Sequence, residues 1–267
     1  MPTQVVFFSV FAFMFGLAVG SFLNVCIYRI PRGMSVAKPR SACPLCGAGL
    51  KAHELIPLIS YAALRGKCSA CSGRINIRYL IVETLCGALW VILLHRFHFS
   101  FEYICYAVLC SILLAVFFID MEWMRIPNVL TIAACAPAIA VGAKYALFSA
   151  DPERFRSAYQ SINPAEPLLG LLPALFFFAV FAISSAVGGG KSAVGMGDVK
   201  ILLPAGFALG LRQGAFAAFT AVALGGLAGV ILLAAGIKKI KDPIPFGPFI
   251  VIGVYAALLF PISNIFI

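Results

Sequence analysis

The chain has 267 residues, of which 62% are hydrophobic and 11% charged, and its mean hydropathy is +1.03. That is too apolar for a soluble domain of this size and reads as a polytopic membrane protein of all-α class, embedded in a lipid bilayer. The net charge of +10 would suggest nucleic acid as a partner of a soluble protein. Here the basic residues lie beside apolar spans, where they set orientation, so nucleic acid is excluded.

The first apolar segment, about Val5 to Tyr28, is long enough to cross the bilayer. No Lys or Arg precedes Arg29, so the segment lacks the basic start of a cleavable signal and is expected to remain as a helix. Gly16 and Gly20 form a G-x-x-x-G face for close helix contact. Asn24 follows, either as an interfacial amide bonding a neighbouring helix or as a substrate contact.

From Arg29 to Arg78 hydropathy falls, and nine of the twenty Lys and Arg residues lie in this stretch. It is expected to be cytoplasmic, with the N-terminus outside. It carries Cys43-Pro44-Leu45-Cys46 and Cys68-Ser69-Ala70-Cys71, two C-x-x-C knuckles separated by twenty-one residues. Four thiolates so spaced can surround one structural Zn²⁺, which a loop with little core of its own needs. A redox pair or free thiols are the competing readings. His53 is expected at the surface. The remaining cysteines, Cys26, Cys86, Cys105, Cys110 and Cys135, sit in apolar segments, where a thiol acts as a small hydrophobe.

A second span runs from about Tyr79 to Leu94, with Glu83 one turn inside it, either snorkelling to the interface or contributing to a polar site. The third, about Phe101 to Ile119, delivers Asp120 to the cytoplasmic side. Segment four, about Val129 to Phe148, returns outward, residues 149 to 167 form an outer loop, and segment five, about Leu168 to Val187, comes back.

The loop Gly188 to Asp198 contains Gly190-Lys191-Ser192, but Ser185 stands where a phosphate loop needs glycine and no strand precedes it, so a nucleotide site is rejected. Its glycines predict irregular backbone around Asp198. Segment six, about Val199 to Leu211, is interrupted by Pro204 and Gly206. Segment seven, about Gly214 to Gly236, presents Gly225 and Gly229, and Pro245-Phe246-Gly247-Pro248 leads into segment eight, about Phe249 to Ile267.

Eight spans with an outer N-terminus place fifteen Lys and Arg on the cytoplasmic side or its edges and five outside: Arg96, Lys144, Arg154, Arg156 and Arg212. Asp120 and Asp198 then share the cytoplasmic face. Two neighbouring carboxylates share a proton, so one can activate water while the other protonates an amide leaving group. Two separate interfacial charges or helix caps are an equal alternative on spacing alone, and a transporter using the pair as a proton relay is a third.

Several stretches together resemble the bacterial type IV prepilin peptidase (leader peptidase/N-methyltransferase) family. They are Gly20-Ser21-Phe22-Leu23-Asn24 with Tyr28-Arg29-Ile30-Pro31-Arg32, the two knuckles, Glu54-Leu55-Ile56-Pro57 with Arg65-Gly66-Lys67-Cys68, and Arg78-Tyr79 with Glu83. Asp120 before Arg125-Ile126-Pro127-Asn128, and Gly195-Met196-Gly197-Asp198-Val199-Lys200, complete the set.

The resemblance implies a G-x-G-D membrane aspartic endopeptidase of the bacterial inner membrane, with Asp120 and Asp198 catalytic and Asn24, Glu83, Gly195, Gly197 and Lys200 supporting. It implies cleavage of the basic leader of type IV prepilins or type II secretion pseudopilins after glycine, on the cytoplasmic side. It also implies N-methylation of the new N-terminus with S-adenosylmethionine, whose binding residues it does not indicate. The expected division is a first helix over 1–28, a four-cysteine zinc loop over 29–78 and a protease core over 79–267. The leader is expected to be positioned by Glu54, Glu83 and Glu122.

Overall fold

The computed structural model describes residues 2–148, 165–187, 195–239 and 242–260. Most of the expected outer loop, the Gly190-Lys191-Ser192 stretch and the end of segment eight lie outside these residues. So do Arg154, Arg156, Lys191 and Lys241 of the charge count. Among the described residues the only β-pairing is two isolated bridges, and the rest of the regular structure is helical. Six helices there are long and apolar enough to cross a membrane, and Gly247–Leu259 is a shorter apolar helix. The protein is therefore an all-α, multi-pass membrane protein.

The chain divides into two compact units, Met1–Ala115 and Val116–Ile267. In unit 1, α1 (Pro2–Arg29) packs on α3 (Arg78–Phe97). Small residues set the distance: a methyl group on Gly16 would lie 2.8 Å from Gly87 Cα, and one on Gly20 would lie 2.7 Å from Glu83 Cα. The G-x-x-x-G face thus brings the two backbones into contact. Behind α3, Trp90 donates its indole N–H to the Ser111 hydroxyl at 3.0 Å, and that hydroxyl donates to the Ala107 carbonyl, satisfying both buried polar groups.

Between α1 and α3 the loop contains two copies of one local structure. The Cys43 N–H donates to the Ala48 carbonyl at 2.8 Å, and Gly47 N–H returns to the Cys43 carbonyl at 2.9 Å. At the second knuckle Cys68 bonds Gly73 at 2.8 Å and Ser72 returns to Cys68 at 2.9 Å. Each knuckle is closed by a bridge, Ala42 with Gly49 and Lys67 with Arg74. Gly47 and Ser72 occupy the same left-handed position, at φ 73° and 57°. Arg29, buried at the end of α1, donates to the carbonyls of Ser35, Val36 and Arg40 and so ties the start of the loop to the helix. The loop's own helix α2 (Ile59–Ala63) has no buried residue.

Helix α4 (Phe101–Trp123) passes from unit 1 into unit 2 and continues about one turn beyond the expected end at Ile119, so Asp120 lies within the helix. Unit 2 continues with α5 (Asn128–Phe148), α6 (Glu166–Leu169), α7 (Leu172–Val187), α8 (Met196–Ala234) and α9 (Gly247–Leu259). Helix α8 is two helices. At Gly210 the backbone leaves helical geometry (φ 75°, ψ 179°), and a methyl group on Gly214 would lie 3.5 Å from Gly206 Cα. Eight residues of continuous helix would separate those positions by about 12 Å. The chain therefore doubles back at Gly210, which recovers the expected sixth and seventh segments; with the shorter helix α9 the described residues hold eight apolar segments.

The turn is tightly packed. A methyl group on Gly206 would collide with the Gly170 carbonyl, and the Glu166 carboxylate accepts the Leu211 N–H at 3.0 Å, satisfying a backbone donor freed by the break. Gly253 of α9 likewise abuts the Ala217 carbonyl, and Gly225 faces the rings of Phe246 and Phe249.

Candidate functional site

In unit 2 the two motif stretches that flank Asp120 and Asp198 come together. A methyl group on Gly197 would lie 3.1 Å from Ile126 Cβ, and Lys200 Nζ donates to Asn128 Oδ1 at 3.1 Å. The Arg125-Ile126-Pro127-Asn128 turn is thereby fixed against the start of α8.

Asp120 and Asp198 are both buried. Each is held through one oxygen by the amide of a glycine: Gly247 N–H donates to Asp120 Oδ2 at 3.0 Å, and Gly195 N–H donates to Asp198 Oδ2 at 3.2 Å. The two carboxylates are within electrostatic reach of one another. Asp198 stands in the first turn of α8, where the unpaired N–H groups favour a negative charge. Residues 188–194 of the loop expected to be irregular lie outside the described residues. The helix starts at Met196 with Gly195 as its cap, and the capping bond to the Asp198 side chain accounts for the regular start.

Gly247 had no signal in the sequence. Its contribution is a backbone N–H, 127 residues from the carboxylate it meets. A methyl group there would lie 2.7 Å from Asp120 Oδ2 and 3.1 Å from its Cγ, so only glycine lets this amide reach the carboxylate in its present place.

In unit 1 the thiols of Cys43, Cys46, Cys68 and Cys71 all lie within 4.8 Å of one another. A tetrahedron of sulfurs 2.3 Å from a metal has edges of about 3.8 Å, so the set fits a single cation of zinc-like size after a small contraction. The Cys68 thiol is drawn down to about 7 by the backbone N–H groups of Cys71 and Ala70. At Cys46 the Ala48 N–H acts in the same direction, but the neighbouring thiol of Cys71, with those of Cys43 and Cys68, pushes it up to about 11. Four thiols this close cannot all ionise alone, and a divalent cation relieves that crowding. His53 is exposed and outside the cluster.

Asn24 and Glu83 also belong to unit 1, and both are buried. Glu83 Oε2 accepts the Leu58 N–H at 3.1 Å, anchoring the loop to α3, and Asn24 donates to the Tyr79 carbonyl at 3.0 Å. Glu54 is engaged inside the loop: Ser69 and the Lys51 N–H hold its carboxyl below the usual range. Of the three carboxylates expected to meet a basic leader, Glu122 is the exposed one.

Known proteins show the same division. Residues 14–97 match the Bacterial Peptidase A24 N-terminal domain, and residues 107–230 match the Type IV leader peptidase family. The chain is 33% identical over 249 residues to a prepilin leader peptidase/N-methyltransferase of Bacillus subtilis (strain 168), covering 93% of this chain and 92% of that one. The chain belongs to the type IV leader peptidase family. A protein of the same name from Burkholderia pseudomallei (strain 1026b) is 31% identical over 275 residues, covering 94% and 84%. One from Myxococcus xanthus (strain DK1622) is 43% identical over a shorter stretch of 134 residues, half of this chain and 40% of that one. No solved structure matches the chain. Asp120 and the turn after it, and Asp198 with its G-x-G-D stretch, fall within the portion matched to the leader peptidase family, whereas the cysteine knuckles fall in the N-terminal match.

Proposed function

We propose that the protein is a membrane aspartic endopeptidase that removes the leader of type IV prepilins and pseudopilins, with Asp120 and Asp198 as its catalytic pair. The observation that carries this reading is the pair itself: two buried carboxylates within electrostatic reach of one another, each fixed by one glycine amide, in a chain of the leader peptidase family. Mutual repulsion and burial leave one carboxyl protonated and the other ionised. The ionised group takes a proton from water as it attacks the scissile carbonyl, and the protonated group donates to the departing amide nitrogen. The glycine amides hold one oxygen of each carboxylate and leave the other for water and substrate.

Cleavage after glycine takes place at the cytoplasmic face of the inner membrane, the side favoured by the fifteen-to-five distribution of basic residues. The second activity is methylation of the exposed N-terminus, as the names of the relatives imply. S-adenosylmethionine would supply the methyl group, and the residues that bind it are not assigned. The four-cysteine cluster holds structural zinc, because four thiolates form a closed tetrahedral set with no open position for water. The division into a first helix over 1–28, a zinc loop over 29–78 and a protease core over 79–267 is retained as the functional one.

Incubation with a prepilin, followed by mass spectrometry, tests both activities. Asp120→Asn and Asp198→Asn should each abolish leader removal while the protein stays folded in the membrane. Cleavage retained by either variant overturns the catalytic assignment.

A further inference from the structure

Unit 1 holds another buried carboxylate that the peptidase pair does not use. Glu83 is 8% exposed, and it faces α1 at Gly20. Its Oε2 accepts the Leu58 N–H at 3.1 Å, and Ser21 lies beside it. A carboxylate offers about four lone-pair sites, and no cation of the described residues pairs with this one. One helical turn further along α1 from Gly20, on the same seam, stands Asn24, 2% exposed, which meets α3 at Tyr79, one turn before Glu83. Its Nδ2 donates to the Tyr79 carbonyl, and since a carbonyl can only accept, that bond fixes the orientation of the amide. Asn24 Oδ1 is left buried with no hydrogen-bond partner. A buried carboxylate and an orphan acceptor one turn apart on a single helix seam are costly unless something supplies donors and positive charge.

We propose that Glu83 and Asn24 bind an α-ammonium group, a reading that rests on the N-methyltransferase activity proposed above. An ammonium brings three N–H donors and the missing charge. Ser21, Leu58 and Tyr79 are only half-buried, so the seam is open at its rim. Two ligands of that activity carry this group: the N-terminus exposed by leader removal, and the amino-acid end of the methyl donor.

Titration of the full-length protein in detergent with three ligands separates them: a peptide of the mature pilin N-terminus, its N-acetylated form, and S-adenosylhomocysteine. Glu83→Gln keeps an oxygen for the Leu58 N–H but removes the charge. It should weaken binding of the free peptide or of S-adenosylhomocysteine about tenfold or more. Asn24→Ala should act on the same ligand in the same direction. The N-acetylated peptide, which has lost the charge, should bind wild type and variants alike.

Loss confined to the free peptide assigns the site to the new N-terminus, and loss confined to S-adenosylhomocysteine assigns it to the donor. Unchanged affinity for both ligands overturns the proposal, as does failure of the wild type to bind either. Loss of zinc together with ligand binding in Glu83→Gln would show a purely structural role and also overturn it. Prepilin cleavage by the wild type in the same preparation tests the peptidase reading separately.

Discussion

A methyl group at Gly247 would sit 2.7 Å from Asp120 Oδ2, and the carboxylate, being the end of a side chain, is what must move. On the proposed role of Asp120, Gly247→Ala should therefore lower kcat for leader cleavage by about 100-fold, the scale of a 1 Å misplacement, with little change in KM. The comparison variant is Gly226→Ala, where a methyl group meets nothing within 4 Å, and it should cleave like the wild type. A Gly247→Ala enzyme of normal kcat would show that this amide does not position the carboxylate. The aspartates themselves were legible in the sequence, because a charge beside a long apolar run is expensive and therefore conspicuous. Gly247 was not legible, since any residue but proline carries an N–H and the requirement for no side chain appears only when α9 is packed against α4.

At the scale of the helix, the reversal at Gly210 decides how α8 supplies two segments. Its backbone (φ 75°, ψ 179°) is in a region open essentially to glycine alone. Gly210→Ala should cost about 1–3 kcal/mol, read as a lower unfolding midpoint by circular dichroism in detergent. Glu166→Gln still offers an oxygen to the Leu211 N–H and should be close to neutral, whereas Glu166→Ala leaves that donor unpaired at a cost of about 1–3 kcal/mol. Equal stability of the glutamine and alanine variants would remove the capping role. The division into segments six and seven was legible, since the expected boundaries at Leu211 and Gly214 lie close to the turn, but the interruption expected at Pro204 and Gly206 is not found: the helix runs through both and breaks at Gly210. The partner that caps the break was not legible either, since Glu166 is 45 residues earlier in the chain.

For the whole molecule, the membrane class and the segment count follow from hydropathy: among the described residues the hairpin in α8 turns six long helices into seven segments, and the shorter apolar helix α9 is the eighth. The loop's four-cysteine cluster was legible for a different reason: its two knuckles repeat in sequence, and the backbone repeats with them, down to the left-handed residues Gly47 and Ser72. What spacing could not show is how little else holds that loop. Helix α2 has no buried residue, the buried cysteines Cys43 and Cys68 belong to the proposed metal site, and the ties from the loop to the helices include the Arg29 bonds to backbone carbonyls and the Leu58 bond to Glu83. On the proposed zinc site the metal would carry most of the loop's order, since small zinc domains draw about 10–16 kcal/mol from such a site. Purified protein should contain one zinc per chain, and Cys43→Ser or Cys71→Ser, or a strong chelator at neutral pH, should remove it. Limited proteolysis should then cut between residues 29 and 78, while the helical circular dichroism signal, which comes mainly from the spans, stays nearly unchanged. A loop that resists protease after complete metal loss would mean that Arg29 and Glu83 suffice to hold it, and that the four thiols are not its structural centre.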